Sequence, residues 1–247
     1  MKLPLYPVSL ALVLVCLVCS VDAQKRKRTS RESVRMAIAI DETLSVLRVR
    51  PSLFATPIQR MRRGRRIQIL GATEADGVKF FKVSVPPGSS GWIQSDALLW
   101  RHQADEQRLA RLIQTAEGFE QVELASIFLD MYPSSNLRPS VLLLFGDLLE
   151  EAAVKLSRDA GSRLSRRSMV ASGAPEYSYY LNFNMLDRYR RLGATFLFNA
   201  STKKFHYDGH SWREIVQKFR AAPERPEAQK RLDVLREKLE RKAGANN

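Results

Sequence analysis

The chain shows two kinds of hydrophobic pattern, one after the other. From Leu44 to Leu99, short runs of apolar and polar residues alternate and are separated by prolines and glycines, which is typical of β-strands and turns. After Trp100, apolar residues recur every three or four positions, which is typical of amphipathic helices. The pattern therefore predicts an α+β protein, with a small β-domain at residues 37–100 and a helical domain at residues 101–247.

The β-domain is expected to contain several short strands. Their apolar positions are Leu47, Ile58, Ile67, Phe81 and Trp92, and the last strand ends at Leu98 and Leu99. Arg63-Gly64 is a turn signal, so the Ile58 and Ile67 strands are expected to form a hairpin across it. In the strand at residues 78–85, alternation puts Phe81 on the core face and Phe80 on the opposite face.

The helical domain contains a pattern that occurs twice. When Tyr132 is aligned with Phe219, Pro139 coincides with Pro226 without a gap. Each copy predicts a helix that ends near an aromatic residue, a short turn, and a second helix with proline in its first turn. Two further features are predicted between or within the copies: a hairpin formed by residues 196–198 and 204–207, and a capping box formed by Ser211 and Glu214.

The β-domain resembles the bacterial SH3 (SH3b) domain. The resemblance rests on four segments in order: Leu47-Arg48-Val49-Arg50, Ile67-Gln68-Ile69-Leu70-Gly71, Phe80-Phe81-Lys82-Val83 and Gly91-Trp92-Ile93. The paired helices resemble tetratricopeptide (TPR) repeats in their pattern: a helix that ends in an aromatic residue, a turn, and a second helix. The resemblance implies a small SH3-like β-barrel followed by an all-α, TPR-like helical-hairpin domain. It also implies a non-catalytic module that binds a peptide or peptidoglycan, beside helices that contact a protein partner.

Four residues are the candidates for ligand contact in the β-domain: Phe54, Phe80, Trp92 and Arg50. Phe54 lies in a long loop, where SH3b domains commonly carry a small polar turn, and Phe80-Phe81 replaces the usual Trp-Tyr pair. Trp92 and Phe81 also suit the core of a small barrel. Phe80 and Phe54 are therefore expected to be the more exposed contacts.

The N-terminal segment has the features of a signal peptide. Lys2 precedes an apolar run at residues 10–18, and Val21 and Ala23 match the small-residue pattern at cleavage sites. Residues 1–23 are therefore expected to be removed, which predicts a secreted or periplasmic protein with no transmembrane segment in the mature chain. Both cysteines lie in the removed segment, and lipidation at Cys19 is an alternative.

The formal net charge of +14 raises a second functional hypothesis. Residues 24–36 are predicted to be a flexible basic arm, and a second basic cluster lies in the β-domain at Arg60, Arg62, Arg63, Arg65 and Arg66. Such clusters attract anionic polymers, either nucleic acid or wall polymers, through charge. Nucleic acid is the less favoured of these partners, and specific docking by the β-domain is the leading hypothesis.

The sequence contains no set of residues that indicates catalysis. There is no phosphate-binding loop or cysteine–histidine pair, so we expect no enzyme activity, no cofactor and no metal. His206, Asp208 and His210 form the one cluster with metal-ligand character, and a surface turn is the preferred interpretation there. Asp147, Glu150 and Glu151 are expected to solvate a helix and to pair with nearby basic residues.

Overall fold

The change of hydrophobic pattern at Trp100 coincides with the boundary between two units. The computed structural model describes residues 35–100 and 103–240, and the chain divides into Met1–Trp100 and Arg101–Asn247. We call them the sheet unit and the helical unit. The predicted signal peptide, and the predicted basic arm up to residue 34, lie outside the described residues.

The sheet unit is a curled antiparallel sheet. Its strands are β1 (Arg35–Ala39), β2 (Val46–Arg48), β3 (Pro57–Arg60), β4 (Arg66–Ala75), β5 (Val78–Val85), β6 (Ser89–Gln94) and β7 (Leu98–Leu99). Their order in the sheet is β3-β2-β6-β5-β4-β1-β7, and a 3-10 turn at Ser95–Ala97 connects β6 to β7. The predicted strand at residues 78–85 is therefore confirmed, with the same bounds.

The concave face of the sheet holds the core of this unit. Leu47, Ile67, Val83, Ile93 and Leu98 are fully buried there. Phe81 joins the same cluster and meets Trp100 edge-to-face, with the ring centroids 5.0 Å apart. Alternation along β5 thus correctly assigned Phe81 to the core, because successive side chains of a strand point to opposite faces.

The predicted hairpin between the Ile58 and Ile67 strands is wrong. β3 pairs with β2, whereas β4 pairs with β5 and with β1. The Arg63-Gly64 turn instead carries the chain from one edge of the sheet towards the other, and Gly64 N donates to Ala39 O at 2.8 Å. A local turn signal shows where the chain bends. It does not show which strands pair when the sheet curls.

The helical unit consists of helices and one two-stranded hairpin. The helices are α1 (Gln103–Thr115), α2 (Gly118–Met131), α3 (Arg138–Arg163), α4 (Arg166–Ser172), α5 (Glu176–Leu181), α6 (Asp187–Arg190), α7 (His210–Lys218) and α8 (Arg225–Glu240). The hairpin strands are β8 (Phe196–Asn199) and β9 (Lys204–Tyr207), which pair antiparallel. This confirms the predicted hairpin.

Both predicted helical pairs are present in the helical unit. Tyr132 follows α2 and Phe219 follows α7, each as the C-cap residue, and Pro139 and Pro226 lie in the first turns of α3 and α8. The predicted capping box is absent, however. Gly209 is the N-cap residue of α7 and makes no side-chain cap, while Glu214 pairs with Arg138.

The long helix α3 is the centre of the helical unit. α2, α7 and the hairpin strand β9 all pack against it, and α8 packs on α7. Gly146 permits the close approach of α7, because a Cβ at this position would lie 2.3 Å from Trp212 Nε1. The Trp212 side chain is therefore fully buried beside the α3 backbone.

Candidate functional site

The loop between β2 and β3 is the most distinctive surface feature of the sheet unit. We call residues 49–56 the Phe54 loop. It is closed by backbone hydrogen bonds, since Val49 N donates to Thr56 O at 3.2 Å and Ala55 N donates to Ser52 O at 3.2 Å. Arg48 also donates from Nη1 to Ala55 O at 2.7 Å. These contacts fix the conformation of the loop at its base.

Asp76 anchors the same loop from outside. It lies in the turn between β4 and β5, and its Oδ2 accepts hydrogen bonds from Ser52 Oγ at 2.7 Å and Leu53 N at 2.8 Å. Both hydrogen bonds lower the pKa of Asp76, and the one from Ser52 has the larger effect. The carboxylate form is therefore the one that holds the loop.

The loop presents the ring of Phe54 to solvent. Phe54 is 91% exposed, Val49 of the same loop is 50% exposed, and Ile58, two residues after the loop, is 44% exposed. We call these three side chains the Phe54 surface. Connecting loops commonly carry binding residues, and exposed apolar side chains are candidates for interaction. A fixed loop with an exposed aromatic side chain can contact a ligand at a low cost in conformational entropy.

The other ligand candidates differ in their exposure. Arg50 is exposed within the Phe54 loop. Trp92 is half-buried on β6, directly opposite Arg48 of β2 and Lys82 of β5. These two residues and Phe54 therefore belong to adjacent elements, with Trp92 as the more enclosed aromatic.

The prediction that Phe80 is an exposed contact is wrong. Phe80 lies on β5 opposite Gln94 of β6, and its side chain is fully buried although it is outside the core cluster of the sheet. Alternation identifies the face on which a side chain lies. It does not show whether that face is open to solvent, and at Phe80 it is closed.

Most of the basic cluster in the sheet unit has a structural role. Arg60 Nη1 donates to Glu42 O and Thr43 O at 2.9 and 2.7 Å, Arg63 Nε donates to Ile40 O at 2.8 Å, and Arg65 donates to Pro86 O. Arg62 and Arg66 are exposed, and within the described residues their side chains make no hydrogen bond or ion pair. These two residues are therefore the ones free to contact an anionic polymer.

A partly buried polar cluster connects three elements of the helical unit. Glu150 Oε1 lies 2.7 Å from Lys238 Nζ and 3.1 Å from His206 Nδ1, while Oε2 accepts from Tyr207 N at 2.8 Å. Burial raises the pKa of Glu150, but the hydrogen bonds from His206, Lys238 and Tyr207 N outweigh it, so its pKa lies below the ordinary value. The partners satisfy each other, so the cluster stabilises the fold.

One sequence interpretation fails at this cluster. His206 is buried in β9 and does not belong to a surface turn, although His210 is exposed at the start of α7. The expected pairing of acidic residues on α3 with bases is confirmed for Glu150, which pairs with Lys238, and for Asp147, which pairs with Arg231. One signal could have identified Glu150: it is four residues after Gly146 and three before Ala153, both of which lie on the buried face of α3.

The structure adds two observations about metals and membranes. Among residues 35–100 and 103–240, no group of three or more histidine, cysteine, aspartate or glutamate side chains is arranged to hold a metal ion. No helix in this part of the chain is long and apolar enough to cross a bilayer.

Comparison with protein-family models, with curated proteins and with solved structures gives no match.

Proposed function

We propose that this chain is an exported, non-enzymatic binding protein of the cell envelope. In this proposal the sheet unit is an SH3b-like barrel that docks on peptidoglycan or its peptides through the Phe54 surface. The helical unit consists of TPR-like hairpins that contact a protein partner. The protein would act in the periplasm or outside the cell, after removal of residues 1–23.

One observation carries this proposal: Phe54 is 91% exposed on a loop held by Asp76. Leaving a large aromatic ring in water forgoes about 2 kcal/mol of burial free energy, which a ligand could recover. The anchoring contacts reduce the entropy that the loop would lose on binding. The curled antiparallel sheet and the two helical pairs support the barrel and TPR-like parts of the proposal.

The experiment is co-sedimentation of the purified protein with isolated peptidoglycan at increasing salt concentration. We expect binding that persists at moderate salt, because an apolar contact is not screened. Phe54→Ala should weaken binding about tenfold or more, as for a contact residue at the centre of an interface. Leu70→Ala is the matched control, because Leu70 is a 51% exposed apolar residue of the same unit outside the loop. Equal binding by the two variants would contradict the proposal.

A second pair of variants tests whether the loop anchor matters. Asp76→Ala removes both hydrogen bonds to the Phe54 loop, whereas Asp76→Asn keeps an oxygen acceptor and tolerates the left-handed backbone, with φ of 53° at this residue. We expect Asp76→Ala to weaken binding and Asp76→Asn to retain most of it. Unchanged binding by Asp76→Ala would show that the anchor does not position Phe54.

The alternative function, binding of an anionic polymer by charge, is favoured by the exposure of Arg62 and Arg66. Counterion release makes such binding fall steeply with salt. The double variant Arg62→Gln/Arg66→Gln leaves the structural hydrogen bonds of Arg60, Arg63 and Arg65 in place. Three results together would show that charge is the mechanism. The double variant would lose binding, binding would disappear at moderate salt, and Phe54→Ala would have no effect.

A further inference from the structure

A cavity in the helical unit has an unusual charge distribution. It has a volume of about 410 Å³ and lies between α3, the turn joining β8 to β9, and α8. Pockets that bind small molecules have volumes of about 300–1,000 Å³. Val154, whose side chain is exposed, supplies apolar surface to the cavity, so the cavity can hold the hydrocarbon part of a small ligand.

The lysine and arginine side chains at the cavity have no acidic residue beside them in its lining, although two of them pair with carboxylates outside it. Arg158, Lys203, Lys204 and Lys238 line it, and among the described residues no aspartate or glutamate does. Like charges around one recess repel each other and concentrate a positive potential there. An anion inside the cavity would relieve this repulsion.

Two of these four cations have no partner among the residues that the structure describes. Lys238 lies 2.7 Å from Glu150, and Lys203 lies 2.7 Å from Glu176. Within the described residues, Arg158 and Lys204 make no ion pair or side-chain hydrogen bond. They are therefore the groups available to an incoming anion.

Of the two hydroxyl-bearing side chains in the lining, Thr202 has its Oγ1 buried and Ser157 is already committed. Ser157 Oγ donates to Ala153 O and accepts from Phe205 N, both at 2.7 Å. Recognition in this cavity must therefore depend mainly on the cations and on the apolar surface. A guanidinium group binds a carboxylate with two parallel hydrogen bonds, and an ammonium group adds a point charge.

We propose that this cavity binds a carboxylate attached to an apolar group. Arg158 and Lys204 hold the carboxylate, and Val154 contacts the apolar group. Such a ligand could be a small free acid or the C-terminal residue of a peptide, since both offer the same chemistry. The proposal concerns the helical unit and is independent of the Phe54 surface.

The test measures binding to the full chain by isothermal titration calorimetry. The probes are hexanoate and a leucine-terminated peptide acid, compared with hexanol and the corresponding peptide amide. We expect one of the acids to bind, and its neutral analogue to bind about tenfold or more weakly, because charge-assisted hydrogen bonds are lost. Whether hexanoate or the peptide acid binds more tightly distinguishes the two sources.

Variants on α3 and the hairpin assign the site. Arg158→Gln/Lys204→Gln should weaken binding of the acid about tenfold or more. Lys155→Gln is the matched control, since Lys155 is exposed on the same helix and does not line this cavity. Arg158 and Lys204 are exposed, and the far-UV circular dichroism of each variant verifies its fold.

Three results would overturn the proposal: neither acid binds, the neutral analogues bind as tightly as the acids, or the control variant loses as much affinity as the double variant.

Inorganic phosphate is included as a competitor. Displacement of the acid by an equal concentration of phosphate would indicate a general anion site and would also contradict the proposal. Phe54→Ala should leave binding of the acid unchanged, so failure here is distinguishable from failure at the Phe54 surface.

Discussion

The two units use their basic side chains in different ways. In the sheet unit, arginines donate to backbone carbonyl groups: Arg48 to Ala55 O, Arg60 to Glu42 O and Thr43 O, and Arg63 to Ile40 O. In the helical unit, Arg138, Arg190 and Arg213 also donate to backbone carbonyl groups, but other basic contacts join carboxylates on different helices. These pairs are Arg138 with Glu214, Arg231 with Asp147, and Lys238 with Glu150.

The difference follows from the backbone. A short strand followed by an irregular loop leaves carbonyl groups without a partner, and a guanidinium group with five donors can satisfy several of them. A helix satisfies its own carbonyl groups, so its charged side chains remain free to connect neighbouring helices. A cluster of arginines in a sequence is therefore weak evidence for a polyanion site when it lies in a small β-unit.

The largest effect that would test this comparison is expected at Glu150. Glu150→Ala leaves Lys238 and His206 without their partly buried partner, so we expect a loss of about 2 kcal/mol in the free energy of unfolding of the helical unit. Urea unfolding followed by circular dichroism measures it. Glu151→Ala is the control, because Glu151 is exposed beside it and makes no ion pair within the described residues. Similar losses in both variants would show that the cluster is not a stabilising contact.

The contacts of Glu150 also predict that the stability of the helical unit depends on pH. The pKa of Glu150 is lower in the folded chain than its ordinary value, so its ionised form contributes stability above the unfolded pKa of about 4.3. That contribution is lost as the pH falls through the folded-state pKa, when Glu150 becomes protonated. The difference in unfolding free energy between the natural protein and Glu150→Ala should therefore narrow below pH about 4. A constant difference down to acid unfolding would contradict this assignment.

The smallest effect is expected in the sheet unit. Arg48→Met removes the hydrogen bond to Ala55 O and should cost about 1 kcal/mol. Amide hydrogen exchange should become faster at Leu53 and Ala55 because the Phe54 loop loosens. Arg50→Met is the control, since Arg50 is exposed and makes no side-chain contact within the described residues. If both variants changed exchange equally, the hydrogen bond to Ala55 O would not hold the loop.

Local pattern was sufficient for the elements that depend on neighbours in sequence. Alternation fixed the bounds of β5, and the shared spacing of Tyr132 and Phe219 identified both helical pairs. The strand β1 was missed, and its first residues, Arg35 and Met36, were wrongly assigned to the basic arm. Its buried residues Ala37 and Ala39 are small and lie within an apolar run, so the alternating signal is weak. Periodicity is thus most informative where the buried side chains are large.

The candidate sites depend on contacts between distant residues, which the sequence alone does not reveal. Asp76 accepts a hydrogen bond from Ser52, which is 24 positions away in sequence, and Glu150 contacts His206, which is 56 positions away. Phe54 could be chosen from the sequence because an aromatic in a loop is unusual. Its anchor, the burial of Phe80 and the unpartnered Arg158 all depend on tertiary packing, and no local pattern encodes them.

The close packing at Gly146 also provides an optical reporter. Trp212 is the one tryptophan after Trp100 among the three in the chain, and it is fully buried against α3. Replacing Trp92 and Trp100 with phenylalanine would leave Trp212 as the sole indole fluorophore. Its emission would then shift to longer wavelength when α7 separates from α3, and would follow the opening of the helical unit without a signal from the sheet.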